Sequence, residues 1–454
     1  MRINPNIFKA YDIRGIYGQD LNEDTAYRLG RAYVEMRSEE SGQTDFTFVV
    51  ARDMRISSPS LKDFLIKGMV EGGANVVDID LASTPTFYFA VANFNYDGGI
   101  IVSASHNPKE YNGFKLTRAK AVPISGETGM DILRDKVLAG NFNTVEKIGE
   151  VISRNDILEK QVGHDLQFTD LDKIKKLKIV ADTANGMGAQ YLEKLFAKLP
   201  CELIKMNFEL NGNFPNHEAD PLKDENNNDL QEKIIAAKAD LGIAVDGDGD
   251  RIFFIDNTGR TIEPAIIRGI LSKIFLREKP GAKIAYDIRP GKITPDMIKE
   301  GGGIPIITRV GHSLIKEVAL KEGAYFAGES SGHFFLNLPI GCFEMPMIMI
   351  LRLLEEFSQS GNSVSEYTRP LYRYFHSGEI NSVVEDKEGV FAQLKERYND
   401  AEINELDGVT ITYPDFWFNV RGSNTEPKVR LNLEATTKEL MEAKRDEVLK
   451  IIRS

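Results

Sequence analysis

A short apolar, β-branched run that breaks into a polar or glycine-rich loop recurs along the chain. Residues 46–51 run into Arg52-Asp53-Met54-Arg55, and residues 99–102 into Ser103-Ala104-Ser105-His106-Asn107-Pro108. Residues 178–181 lead to Asp182-Thr183-Ala184-Asn185-Gly186, and residues 241–245 to Asp246-Gly247-Asp248-Gly249-Asp250-Arg251. Residues 283–286 and 324–327 open in the same way onto Asp287-Ile288-Arg289-Pro290 and Gly328-Glu329-Ser330-Ser331-Gly332-His333. Amphipathic helical stretches such as 61–72, 191–199 and 230–238 lie between them. Strands alternating with helices predict α/β layers with several sheets. Ligands of such sheets sit beyond the strand ends, so these loops are where chemistry is to be sought.

Three stretches suggest boundaries: the polar segment 140–155, the turn Asp256-Asn257-Thr258-Gly259, and 358–363 followed by Arg369-Pro370. The tail from Leu371 reads as a smaller α+β domain with strands near 409–411 and 429–433 and a closing helix from Thr437. At 454 residues the chain has room for about three domains on length alone. Its net charge of −12 disfavours nucleic acid and anionic membrane as partners. No apolar run reaches the roughly 20 residues of a membrane span. The start, Met1-Arg2-Ile3-Asn4-Pro5, is too polar for a signal peptide, and Cys201 and Cys342 have no ligand-like spacing. A cytoplasmic protein is the expectation.

The acidic loop is the sharpest local signal. Asp246, Asp248 and Asp250 alternate with glycines that let the backbone curl, so their carboxylates can converge on one hard cation. An EF-hand would need Gly and Glu where Arg251 and Asn257 stand. An acidic surface turn is the plain alternative, but three carboxylates behind a buried strand repel one another without a cation. The segment 421–427 offers Arg421, Ser423, Asn424 and Thr425 on a glycine-flexed backbone, a donor set suited to a phosphate dianion. Glu329 and the neighbouring serines suit sugar hydroxyls, though by themselves they would pass as a polar loop. The same holds for Ser105, which could be a turn residue, and for Lys115, which could be a solvated lysine.

In this order the loops resemble the α-D-phosphohexomutase family, and within it the phosphomannomutase/phosphoglucomutase branch. The resemblance spans essentially the whole chain and includes Phe8-Lys9-Ala10-Tyr11-Asp12-Ile13-Arg14-Gly15, Gly212-Asn213-Phe214-Pro215-Asn216-His217, Val310-Gly311-His312-Ser313 and Trp417-Phe418-Asn419-Val420-Arg421. It implies three related α/β, mixed-sheet domains and a C-terminal α+β domain like the TATA-binding protein, around a central cleft. The corresponding ranges are 1–152, 153–255, 256–366 and 367–454. It further implies that Ser105 is a phosphoserine, and that Asp246, Asp248 and Asp250 bind Mg²⁺ with a phosphoseryl oxygen. Tyr11, Arg14 and Arg251 would line the transfer site, with Lys115 and His312 as candidate acid/bases. Glu329 and Ser331 would hold sugar hydroxyls, and Arg421, Ser423, Asn424, Thr425 and Arg430 the phosphate not being transferred. Arg14 and Arg251 should lower the pKa of Lys115. The implied partners are phosphosugars alone, with a hexose 1,6-bisphosphate as primer, in a monomer or dimer.

The implied activity interconverts hexose 1-phosphate and hexose 6-phosphate, of mannose, glucose or both. Ser103, where many relatives have Thr, Ser330, where many have Met, and Glu344, in place of an aspartate pair, depart from the family pattern. They leave an amino-sugar phosphomutase open. A phosphatase with Asp246 as nucleophile and a sugar-phosphate-binding regulator are the competing readings.

Overall fold

The computed structural model describes residues 3–289, 291–422 and 427–453, and of Glu127 the backbone alone. It divides into two compact units, one of residues 1–261 with 332–364, the other of 262–331 with 365–454.

The first unit holds two sheets. One runs in the order Ile13–Ile16, Tyr111–Arg118, Gly98–Val102, Thr47–Arg52, Asn75–Leu81, Val151–Ser153. Its last four strands are parallel, whereas Tyr111–Arg118 is antiparallel to both its neighbours. Gly98–Val102 is buried at every residue, as a strand covered on both faces should be. Helix Glu23–Ser41 starts at a capping box between Asn22 and Thr25 and stops at Gly42, whose φ of 70° suits the left-handed cap. It crosses Ser58–Glu71 at two glycines: a Cβ on Gly30 would come 2.4 Å from the Leu65 carbonyl oxygen, and one on Gly68 2.1 Å from that of Tyr27. The segment 140–155, which reads as a linker, supplies Val151–Ser153 as an exposed edge strand. Its polar flanks hide a pairing made by backbone alone.

The second sheet runs Ile252–Asp256, Leu241–Val245, Lys178–Asp182, Glu202–Met206, antiparallel at the first pair and parallel thereafter. Leu241–Val245 is wholly buried and ends at the acidic loop. Asp256 Oδ1 accepts from the Thr258 amide at 2.8 Å and shapes the turn that follows Ile252–Asp256. The hairpin Phe334–Leu338 with Gly341–Glu344 and the helix Pro346–Ser360 complete the unit. That helix is anchored late in sequence to early residues, since the Lys175 amide donates to Ser358 Oγ at 3.0 Å and Arg352 Nη1 to the Phe168 carbonyl at 2.9 Å.

In the second unit, Lys283–Asp287 lies parallel to Ile304–Thr308 and Phe326–Gly328, with helices Pro264–Glu278, Ile293–Glu300 and His312–Glu322. A separate antiparallel sheet runs Phe375–His376, Lys428–Ala435, Phe416–Gly422, Val409–Thr412, Glu402–Asn404, with Ile380–Val383 also on Lys428–Ala435. Helices Lys387–Arg397 and Lys438–Ile452 accompany it, the latter capped by Thr437. This is the α+β pattern expected for the tail. Among the described residues no helix is long and apolar enough to cross a membrane.

Candidate active site

In the first unit, Arg14, Lys115 and Ser105 come from neighbouring strands. Arg14 pairs in register with Gly113, and Lys115 with Ile101 on the strand that leads to Ser105. Ser105 is 1% exposed and sits at φ 52°, a left-handed conformation unusual for a residue with a Cβ. Its Oγ donates to Asp246 Oδ2 at 3.0 Å and lies 3.2 Å from His106 Nδ1. Burial, with Arg251 and Arg14, pushes the His106 imidazole down to about 2, so it stays neutral.

Asp246, Asp248 and Asp250 can each place one oxygen within 4.8 Å of the others, and all three are buried. Gly247 permits this, because a Cβ there would meet the Ser105 carbonyl oxygen at 2.5 Å. Asp246 Oδ1 accepts from the Gly249 and Arg251 amides at 3.1 and 3.2 Å, and Asp248 Oδ2 from Thr84 Oγ1 at 2.6 Å. Asp248 Oδ1 is buried and has no hydrogen-bond partner among the described residues. His333 Nε2 approaches Asp250 Oδ1 at 3.3 Å and receives Arg251 Nε at 3.4 Å. Burial and the adjacent Asp248 and Asp250 carboxylates push Asp246 well above the usual carboxylate range. Such a group is short of positive charge, and its donors are hard oxygens suited to Mg²⁺.

Lys115 is fully enclosed, with Nζ 2.5 Å from Asp248 Oδ2 and 2.6 Å from Asp250 Oδ2. Burial pulls its pKa down, but those two carboxylates outweigh burial and hold it well above its ordinary value. The lowering expected from Arg14 and Arg251 is therefore corrected: the aspartates lie closer. Arg14 itself donates through Nε to Asp12 Oδ2 at 2.7 Å and through Nη1 to Asn107. Tyr11 lies half-buried just before Ile13–Ile16.

The second unit gathers a second group. Glu329 Oε1 accepts from Arg289 Nη2 at 3.0 Å and the Gly311 amide at 2.9 Å, while Oε2 accepts from Ser331 Oγ at 2.8 Å. His312 opens the helix that follows Gly311. Ser330 Oγ and its amide both donate to Asp287 Oδ1, at 2.9 and 3.0 Å. Arg421 faces Arg430 in register across two strands, and Glu379 lies between them, 2.8 Å from Arg421 Nη2 and 3.7 Å from Arg430 Nη1. Ser423, Asn424 and Thr425 fall outside the described residues.

Sequence reasoning passed over Arg55, Thr84, His106, Arg289 and His333 as functional residues. Four of them stand inside loops already singled out, but Arg55, Arg289 and His333 find partners far along the chain, at 105–111, 329 and 250, while His106 lies beside Ser105 itself. Thr84 gave no signal, since a Thr before Pro85 at a helix start is ordinary.

Four consecutive segments match family models of phosphoglucomutase/phosphomannomutase: alpha/beta/alpha domains I, II and III at 5–152, 160–259 and 264–375, and the C-terminal domain at 379–451. The chain belongs to the phosphoglucomutase/phosphomannomutase family. It is accordingly a phosphohexomutase, an enzyme of four-domain α/β architecture. It is 37% identical to a phosphomannomutase of Salmonella montevideo over 461 residues, covering 99% of this chain and 100% of that one. A phosphomannomutase of Methanocaldococcus jannaschii is also 37% identical, over 98% of this chain and 97% of its own. Among solved structures, a phosphoglucomutase/phosphomannomutase family protein of Burkholderia thailandensis superposes with a TM-score of 0.90 at 32% identity, covering 99% of this chain and 98% of that one.

Proposed function

We propose that Ser105 carries the phosphoryl group that this phosphohexomutase moves between C1 and C6 of a hexose, mannose, glucose or both. The observation that carries the reading is the Ser105 hydroxyl on Asp246, with Lys115 on the other two carboxylates of the same cluster. Phosphoryl transfer asks for in-line positioning and neutralised oxygens more than for covalent help. Asp246, Asp248 and Asp250 would hold Mg²⁺ together with an oxygen of phosphorylated Ser105. The ion would supply neutralisation of phosphoryl charge and draw electrons from the serine ester.

In each half-reaction one P–O bond forms as another breaks, and a proton leaves the accepting hydroxyl while the released oxygen gains one. Lys115, protonated among Asp248 and Asp250, suits the donor of that proton, with His312 as second acid/base. Arg14, Arg251 and Tyr11 would hold the transferring phosphate. Glu329 and Ser331 would take sugar hydroxyls, and Arg421 and Arg430, with Ser423, Asn424 and Thr425, the other phosphate. The hexose 1,6-bisphosphate formed midway must turn before its second phosphate returns to Ser105, and the same compound serves as primer.

The test is a mutase assay with Mg²⁺ and glucose 1,6-bisphosphate, comparing the 1-phosphates of mannose, glucose and N-acetylglucosamine, with inorganic phosphate followed in parallel. Conversion to the 6-phosphate without phosphate release is expected, and its loss in Ser105→Ala with sugar-phosphate binding retained. Full turnover in Ser105→Ala, or phosphate release alone, rejects the assignment. Preference for the amino sugar would redirect the substrate while keeping the chemistry.

A further inference from the structure

Arg55 is 1% exposed, yet it touches none of the acidic loop's carboxylates through a hydrogen bond. Its guanidinium gathers the turn that carries Ser105. Nη1 donates to the carbonyls of Pro108 and Tyr111 at 2.7 and 3.0 Å, and Nη2 to those of Ser105 and Asn107 at 2.8 and 2.5 Å. Asp53 fixes the near side, its Oδ1 accepting from the Arg55 amide at 3.0 Å and from Ser58 Oγ at 2.5 Å, with Oδ2 3.3 Å from Arg55 Nε.

The guanidinium is also covered. The Phe214 ring lies over it at 5.0 Å, and Gly212 presses on the backbone beneath, where a Cβ would come 2.7 Å from Arg55 Cα. This loop hangs on the second sheet of the same unit. The Asn211 amide donates to the Asn185 carbonyl at 3.0 Å, Asn216 Nδ2 to Asn207 Oδ1 at 2.6 Å, and His217 Nε2 lies 3.2 Å from Asp182 Oδ2. The motif Gly212 to His217 thus has a task that the reaction itself leaves unassigned.

Ser105 needs such support. Its left-handed backbone, at φ 52°, is strained for a residue with a Cβ. Within the turn, the Asn107 amide on the Ala104 carbonyl and the Ser105 amide on Ser103 Oγ, each at 3.0 Å, are short-range restraints that leave the Ser105, Asn107, Pro108 and Tyr111 carbonyls to Arg55. Four carbonyls on one planar fork over-determine the turn, and only a guanidinium offers that geometry.

We propose that Arg55 is a positioning residue of the transfer reaction, holding the Ser105 hydroxyl in line, and that Phe214 covers the guanidinium and keeps it in plane. The inference rests on the reading of Ser105 as phosphoryl carrier. Its test uses the full chain as wild type, Arg55→Lys and Phe214→Ala. Each is incubated with glucose 1,6-bisphosphate and Mg²⁺, the mass of the Ser105 peptide is measured, and single-turnover transfer to the preferred hexose phosphate is timed beside steady-state KM.

Arg55→Lys is expected to fold, to keep KM, and to transfer about 100-fold more slowly, the effect of a misplacement near 1 Å. Phe214→Ala, which deletes no hydrogen bond, is expected to lose about tenfold in the transfer rate with KM unchanged. Wild-type transfer rates in a folded Arg55→Lys, or a rise in KM at constant kcat, would overturn the proposal. Should circular dichroism show Arg55→Lys unfolded, Phe214→Ala decides by the same criteria. A wild-type enzyme that turns over without phosphate on Ser105 defeats the carrier assignment and this inference with it. A phosphorylated wild type with unaffected variants defeats this inference alone.

Discussion

Asp246, Asp248 and Asp250 crowd three carboxyl groups into a space from which water is excluded, with one lysine as their nearest cation. That deficit of positive charge gives a prediction at the scale of single side chains. Mg²⁺ should raise the thermal unfolding midpoint, by about 2.7 kcal/mol of stabilisation at a hundredfold excess over Kd, and a chelator should return it. Asp248→Asn should blunt the response, and a midpoint indifferent to Mg²⁺ in the wild type would remove the cation from this site. Arg421 offers a second case. Its guanidinium donates to Glu379 at 2.8 Å, and with the proposed role at the untransferred phosphate Arg421→Ala removes a charge-assisted bond worth about 1.5–3 kcal/mol. KM for the hexose phosphate should rise by about ten- to a hundredfold, and a near-normal KM would take Arg421 out of the phosphate site. The carboxylates were legible because their spacing is local and their chemistry distinctive, whereas Ser105 alone could pass as a turn residue and stood out only through the family resemblance. Arg55 was not, because its partners at 105, 107, 108 and 111 are fifty residues and more away and are backbone atoms, which carry no residue identity.

Elements depend on contacts of the same anonymous kind. Helices Glu23–Ser41 and Ser58–Glu71 approach until the backbone of one lies on a glycine of the other. Gly68→Ala should therefore destabilise by about 1–3 kcal/mol, by overpacking, despite alanine's better helix propensity. An unchanged or raised urea midpoint would show that the helices separate freely. In the loop before Ala219, a hydrogen bond to Asp182 raises the His217 pKa above 6.5 against the opposing pull of burial. The folded state thus holds a proton that the unfolded chain releases first. The resulting stabilisation is complete below about pH 6.5 and fades as pH climbs through the raised value. The gap in urea midpoint between wild type and His217→Gln should narrow from about pH 6 to pH 9, and a gap independent of pH would discount the imidazolium. Strand positions were readable from apolar runs: residues 241–245 coincide with Leu241–Val245, and 178–181 stop one residue short of Lys178–Asp182. Val151–Ser153 was not, since all three of its residues are exposed and no burial marks it.

At the scale of the molecule, the alternation of strands and helices along the chain announced α/β layers, while the way the chain is shared between units left no trace in composition. Residues 332–364 return to the first unit after seventy residues spent in the second. A ribosome therefore delivers the hairpin and the helix Pro346–Ser360 long after the strands of the first unit have left the exit tunnel. Until then the Phe168 and Lys175 backbone groups lack their partners at Arg352 and Ser358, and the contacts of that helix with Ile157–Asp165 and Gly188–Phe196 are unmade. The nascent chain must wait for its own later text before its first paragraph can close, and a stalled translation product ending near residue 261 is a client for chaperones rather than a miniature of the enzyme.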